Sequence, residues 1–153
     1  MAVKKIPDGF HTITPHLVVS DAKGAIEFYK KAFNAEEITR MASPDGKIMH
    51  AMIRIGDSFL MLNDEYPDMG AKSPKGIGGT PVTINLYVED ADRVFNQAIK
   101  AGAQTDMPLA DMFWGDRYGK LKDPYGHHWA IATHIQDLTP DQIQKAAAKF
   151  FGN

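Results

Sequence analysis

A shift of 69 residues lays one half of this chain on the other. Leu17 falls on Leu86, Val19 on Val88 and Asp21 on Asp90 at one end, and Leu62 falls on Ile131 at the other. Chance similarity would need matching insertions to hold at both ends, so the spacing predicts an internal duplication. Each half must then form the same supersecondary unit. The whole chain of 153 residues has the size of a single domain able to bury one core.

The unit reads strand, helix, then three strands. After Pro7-Asp8-Gly9, the β-branched run from Thr12 to Val19 predicts a strand, with Pro15 favouring an edge or strand-start position. Ser20 or Asp21 caps a helix whose apolar residues Ala25, Ile26, Phe28, Tyr29, Ala32 and Phe33 recur at helical spacing, and Asn34 stops it. Strands are predicted at Glu36 to Met41, Lys47 to Ile55 and Ser58 to Asn63. Residues 65 to 80, with Pro67, Gly70, Pro74 and three closely spaced glycines, read as a connector without an element of its own. The second unit repeats the order: strand Pro81 to Val88, helix capped by Glu89 or Asp90 and ending at Gly102, then strands near Gln104 to Met107, Arg117 to Lys122 and His127 to Thr133. A terminal helix runs from Thr139, its cap, to Phe150.

The predicted fold is therefore α+β: one domain over residues 1–153, with a first βαβββ module at about 10–64, a second at about 81–135 and a C-terminal helix at about 139–150. Strand alternation places Thr14, His16, Val18, His50, Met52, Arg54, Phe59, Met61, Thr83, Asn85 and Tyr87 on one kind of face. Ile13, Leu17, Val19, Ala51, Ile53, Leu60, Leu62, Ile84, Leu86 and Val88 fall on the other, apolar face and are expected under the helices.

Composition removes several function classes. The chain has no cysteine, so disulfides, thiolate nucleophiles and cysteine-held metals are excluded. A net charge of -2 with no long block of either sign gives no field for nucleic acid or anionic lipid. No apolar run reaches the roughly 18 residues of a membrane span, and the N-terminus lacks a signal-peptide core, so a cytoplasmic location is expected.

Three stretches carry a family resemblance: Leu17-Val18-Val19-Ser20-Asp21 leading to Phe28-Tyr29, the segment Phe113-Trp114-Gly115-Asp116-Arg117-Tyr118-Gly119, and Asp123-Pro124-Tyr125-Gly126-His127-His128-Trp129. In this order the chain resembles the vicinal oxygen chelate superfamily of glyoxalases, bleomycin-resistance proteins and extradiol dioxygenases. The resemblance covers residues 10 to 135. It implies paired βαβββ modules whose curved mixed sheets surround a small-molecule cavity, helices outside, and a homodimer. It also implies metal-ligand positions in the first and last strand of each module, which fall here at Thr14, Met61, Thr83 and Ala130. None offers the imidazole or carboxylate that a catalytic divalent ion takes. The usual metal site is thus expected to be absent, and with it metal-dependent glyoxalase or dioxygenase activity.

The candidate ligand-binding residues are His16, His50, Met52, Phe59, Thr83, Asn85, Tyr87, Trp114, Arg117 and His128, a mixed apolar and polar set of the kind that lines a binding site. Arg117 with Asp116 is read either as an anchor for an anionic or carbonyl-bearing ligand or as a hairpin salt bridge. Trp129 is assigned to the core, and His127 and His134 to the surface or an interface. Asp64, Glu65 and Asp68 read as a solvated acidic loop rather than an acid–base pair.

Two functional readings stay open, so turnover is undecided. The first is a protein that binds a small organic molecule with no cofactor. The alternative is a lyase, isomerase or dioxygenase-type enzyme using an unconventional divalent metal held by His16, His50 and His128, or a His/Arg acid–base pair. A structural or regulatory subunit ranks third. Methyl transfer is discounted, because no glycine-rich nucleotide loop is present.

Overall fold

The computed structural model describes residues 2–152. Its α+β architecture has two tandem βαβββ modules and a C-terminal helix. The first module runs β1 (His16–Val19), α1 (Ala22–Phe33), β2 (Glu36–Ala42), β3 (Ile48–Ile55) and β4 (Ser58–Asp64). The second runs β5 (Thr83–Tyr87), α3 (Ala91–Ala101), β6 (Gln104–Asp111), β7 (Asp116–Lys122) and β8 (His128–His134). Each forms a mixed four-stranded sheet, ordered β1-β4-β3-β2 in one and β5-β8-β7-β6 in the other, with one parallel pair per sheet.

The duplication is visible in hydrogen-bond register. His16 pairs with Met61 and Leu17 with Leu62; 69 residues on, Asn85 pairs with Ala130 and Leu86 with Ile131. Asp21 and Asp90, also 69 apart, cap the two helices by accepting from Gly24 and Arg93 backbone N–H groups. The shift drops by one in the third strand. Met61 faces Met52, but Ala130 faces Lys120, because the β7–β8 turn is one residue longer than its counterpart.

The chain forms two compact units. One comprises the chain to Thr80 together with Pro124–Gly126; the other comprises Pro81–Asp123 and the chain from His127 onward. In the first, α1 lays Ala22, Ala25, Ile26, Phe28, Tyr29, Ala32 and Phe33 on the sheet, where Leu17, Val19, Ala51, Ile53, Leu60 and Leu62 are buried beneath them. Asn34 ends the helix with a left-handed φ of 54°, as its residue type predicts. In the second, α3 buries Ala91, Val94, Phe95 and Ala98, and Trp129 and Ile131 are fully buried. Trp129 donates its indole N–H to Asp123 at 2.9 Å, so this ring belongs to the core, as expected.

Several expectations are corrected. The first strand begins at His16 rather than Thr12, and Ile13, assigned to the apolar face, is 84% exposed. Only His16–Val19 has a partner strand, and Pro15 supplies no N–H. Residues 65 to 80 contain two short elements: a 3-10 turn at Pro67–Met69 and one helical turn, α2 (Pro74–Ile77), capped by the buried Ser73. Strand β6 continues through Pro108 to Asp111. It tolerates the proline because it is an edge strand with register shifts on both sides of Met107.

Asp64 and Glu65 are structural carboxylates, not parts of a solvated loop. Asp64 accepts from the backbone N–H of Ala22 at 2.7 Å and of Ile48 at 2.6 Å, and Glu65 accepts from the Ser73 N–H at 3.0 Å and from its hydroxyl. The last helix, α4 (Pro140–Phe151), opens on a capping box between Thr139 and Gln142, and Phe113 meets Phe150 and Phe151 at ring-centre distances of 5.2 and 5.9 Å.

Candidate functional site

Each sheet turns one face to its helix and leaves the other uncovered by it. On the first sheet the uncovered face carries His16 from β1, Met61 and Phe59 from β4, and His50 and Met52 from β3, with His16 opposite Met61 and Met61 opposite Met52. Phe59 meets Phe10 with ring centres 4.7 Å apart and planes tilted at 42°. The two imidazoles lean toward each other across β4, with ring centres 5.9 Å apart and planes at 80°. His16 Nε2 lies 2.5 Å from Asn63 Oδ1, and the Asn63 amide donates to the Asp64 carbonyl at 2.8 Å.

The corresponding face of the second sheet carries Thr83, Asn85 and Tyr87 from β5, with His128 opposite Thr83. Tyr87 is 66% exposed, yet its hydroxyl is fixed by donating to Asp116 at 2.7 Å. The same carboxylate accepts from the Trp114 indole at 3.0 Å and lies 2.8 Å from His134 Nδ1. Trp114 in turn meets the Tyr118 ring edge-on at 5.3 Å. Asp116 itself is buried. Burial pushes its carboxyl upward, but hydrogen bonds from His134, Tyr87 and Trp114 together prevail and hold its pKa below the ordinary value. Hydrogen bonding to Asp116 raises the Tyr87 pKa, and Asp137 and Asp116, one at each ring nitrogen, raise that of His134.

Gly115 makes this arrangement possible. Its φ is +99°, and a Cβ there would stand 2.3 Å from the Gln136 carbonyl oxygen. The Gly115 carbonyl meanwhile accepts from the backbone N–H groups of Ile135 and Gln136, which draws the chain after β8 against the turn bearing Trp114.

The candidates thus fall into groups. His16, His50, Met52 and Phe59 share the first sheet's uncovered face, and Thr83, Asn85, Tyr87 and His128 the second's, with Trp114 tied to Tyr87 through Asp116. His128 is held by Asp106 at 2.6 Å. Arg117 stands apart. It alternates with Asp116 and Tyr118, so it lies on the helix side, where it binds Asp92 through two nitrogens at 2.7 and 2.8 Å and Asp111 at 3.1 Å. Those carboxylates, rather than Asp116, are its partners, and they raise its pKa. Asn63 was missed in the sequence, as were the roles of Asp116, which was read only as a companion of Arg117, and of His134. The available signal was an aspartate opening a β-strand, a residue that strands disfavour unless donors meet it.

The positions that the resemblance assigns to metal ligands do not fit a divalent ion. Thr14 precedes β1, Met61 offers a thioether, Thr83 a hydroxyl, and Ala130 no donor. Among the described residues, no three or more His, Asp or Glu side chains gather as a metal-binding group. No helix among them is long and apolar enough to cross a membrane.

Comparison with known proteins decides the family. The Glyoxalase/Bleomycin resistance protein/Dioxygenase superfamily model matches residues 9–131. The chain belongs to this superfamily. Among its relatives, an uncharacterized protein of Mycobacterium bovis is 50% identical over 137 residues, covering 88% of this chain and 90% of its own. Of solved structures, TioX from Micromonospora is similar at a TM-score of 0.66 and 25% identity, over 82% of this chain and 99% of that one. The Arabidopsis thaliana At5g48480 product is similar at a TM-score of 0.63 and 28% identity, over 80% and 98%. The match reaches from before β1 into β8.

Proposed function

We propose that this superfamily member binds a small organic molecule without the usual divalent metal, and that aromatic surface on the second module contributes to its recognition. The observation that carries this reading is the convergence of Tyr87 and Trp114 on the buried Asp116. It orients two large rings beside Tyr118 while leaving Tyr87 exposed. Rings held in place before binding lose little conformational freedom when a flat or amphipathic ligand stacks on them. Thr83, Asn85 and His128 on the same face supply polar groups that fix orientation.

The His/Arg acid–base alternative has less support, because Arg117 is saturated by Asp92 and Asp111 on the helix side. A homodimer, which membership of the superfamily suggests, completes the proposal.

The test is saturable quenching of tryptophan fluorescence across a panel of aromatic and amphipathic compounds. Trp129 is buried in the core, so the responsive signal belongs to Trp114, and Trp114→Phe should abolish the ligand-dependent change while the fold survives. A panel that gives no saturable change in the wild-type protein refutes the reading.

A further inference from the structure

We propose that His16 and His50, completed by the thioether of Met61, form a binding site for a soft monovalent cation, with Cu(I) as the biological ion. The site lies wholly on the first sheet and is independent of the organic ligand proposed for the second module.

The argument begins with a tautomer. A backbone carbonyl only accepts, so the Asn63 nitrogen must be the atom that faces the Asp64 carbonyl at 2.8 Å. The Asn63 oxygen therefore faces His16, and since it too only accepts, His16 Nε2 carries the proton. The Nδ1 of neutral His16 is left with its lone pair. A buried side-chain carbonyl that takes one imidazole N–H and thereby orients the other nitrogen is the supporting arrangement found behind metal-bound histidines. Asn63 is only 8% exposed, so this support is fixed by packing.

Ring geometry agrees. Two imidazoles held by one ion through bonds of about 2.0–2.1 Å place their ring centres roughly 5–6 Å apart. His16 and His50 stand at 5.9 Å although they come from strands that do not pair with each other. Met61, on the intervening strand, is the direct partner of His16, and Met52 is the next residue across.

Donor chemistry selects the ion. No cluster of three His, Asp or Glu residues lies here among the described residues, so a hard or borderline divalent ion would lack ligands. Thioether beside imidazole is a soft, uncharged set that favours Cu(I). Coordination of Cu(I) by imidazole nitrogen and thioether sulfur requires no electron transfer.

The test uses the full-length protein under anaerobic conditions. Cu(I) is titrated in competition with a chromogenic Cu(I) chelator, and Ag(I) serves as a redox-inert probe by calorimetry. One ion per chain is expected. Affinity should fall at least tenfold in His50→Phe and in Met61→Leu, and Zn(II) should bind far more weakly. Nitrogen NMR of the wild-type protein should show the Ag(I) shift at His16 Nδ1 with Nε2 still protonated, a signature that a purely structural histidine would not give. Circular dichroism establishes that each variant folds. If folding is lost in one, the NMR assignment in the wild-type protein decides. Absence of stoichiometric Cu(I) and Ag(I) binding, equal affinity in folded variants, or a shift at other nitrogens overturns the proposal. Loss of organic-ligand binding leaves it untouched.

Discussion

Asp64 and Thr133 occupy equivalent positions 69 residues apart and do the same work with different chemistry. Each lies at the C-terminal end of its module's last strand, Asp64 as the final residue of β4 and Thr133 as the penultimate one of β8, and accepts the backbone N–H that opens the module's helix: Asp64 Oδ1 from Ala22 at 2.7 Å, Thr133 Oγ1 from Ala91 at 2.9 Å. Asp64 spends its second oxygen on the Ile48 N–H, whereas Thr133 donates its hydroxyl to the Val88 carbonyl at 2.7 Å. A helix start leaves N–H groups without intrahelical partners, so both residues fasten helix to sheet.

Replacing either should loosen that joint. Asp64→Ala strands two partly buried N–H groups and is expected to cost about 1–3 kcal/mol, and Thr133→Val about 1–2 kcal/mol. Urea denaturation followed by circular dichroism measures both. A change near zero for Asp64→Ala would mean that water replaces the carboxylate.

Gly115→Ala combines a disfavoured left-handed backbone with a clash against the Gln136 carbonyl. The expected destabilisation is about 3 kcal/mol. Trp114 should become more solvent-exposed as the turn relaxes, seen as a red shift in its emission. Unchanged stability and emission would show that the turn gives way freely.

The charge state of His134 gives a pH signature. Its pKa is raised in the folded protein by Asp137 and Asp116, so its contribution is fully present below the unfolded value of about 6.5 and is lost as pH rises through the folded value. Asp116 runs the other way. Its folded pKa is lowered, so its contribution is present above the unfolded value of about 3.9 and is lost as pH falls through the folded one. The Tm difference between wild type and His134→Gln should be widest near about pH 5.5 and narrow toward about pH 9. A difference that widens with pH contradicts the pairing.

Thr139→Ala removes the side chain that starts α4 and should cost that helix about 1 kcal/mol. Because α4 has no buried residue, its amide hydrogen exchange should accelerate while the global Tm barely moves. A matching fall in Tm would mean that α4 unfolds only with the core.

The parts of the fold legible in the sequence were those governed by local rules. Asp21, Asn34, Asp90, Gly102 and Thr139 mark helix ends through backbone chemistry that involves near neighbours, and the structure places the ends there. Alternation likewise sorted Leu17, Ala51, Ile53 and Leu62 from His16, His50 and Met52. Long-range hydrogen bonding was not legible. Asp64 looks like loop acid until Ala22 and Ile48 are brought to it, and Arg117 looks like a partner for adjacent Asp116 until α3 delivers Asp92. Strand β6 runs past its expected end at Met107 to Asp111, because Pro108 reads as a stop unless the strand is known to lie at an edge.

The extra residue in the β7–β8 turn bears on how this protein is dissected. Tyr125 packs against Phe28 with ring centres 6.3 Å apart, and a Cβ on Gly126 would meet Pro74, so this turn is part of the first compact unit. That unit is discontinuous in sequence. A gene fragment ending at Thr80 would encode every strand of the first repeat, yet leave Phe28 without the tyrosine that covers it. The boundary along which the ancestral unit was copied is no longer one along which the present protein can be cleanly divided.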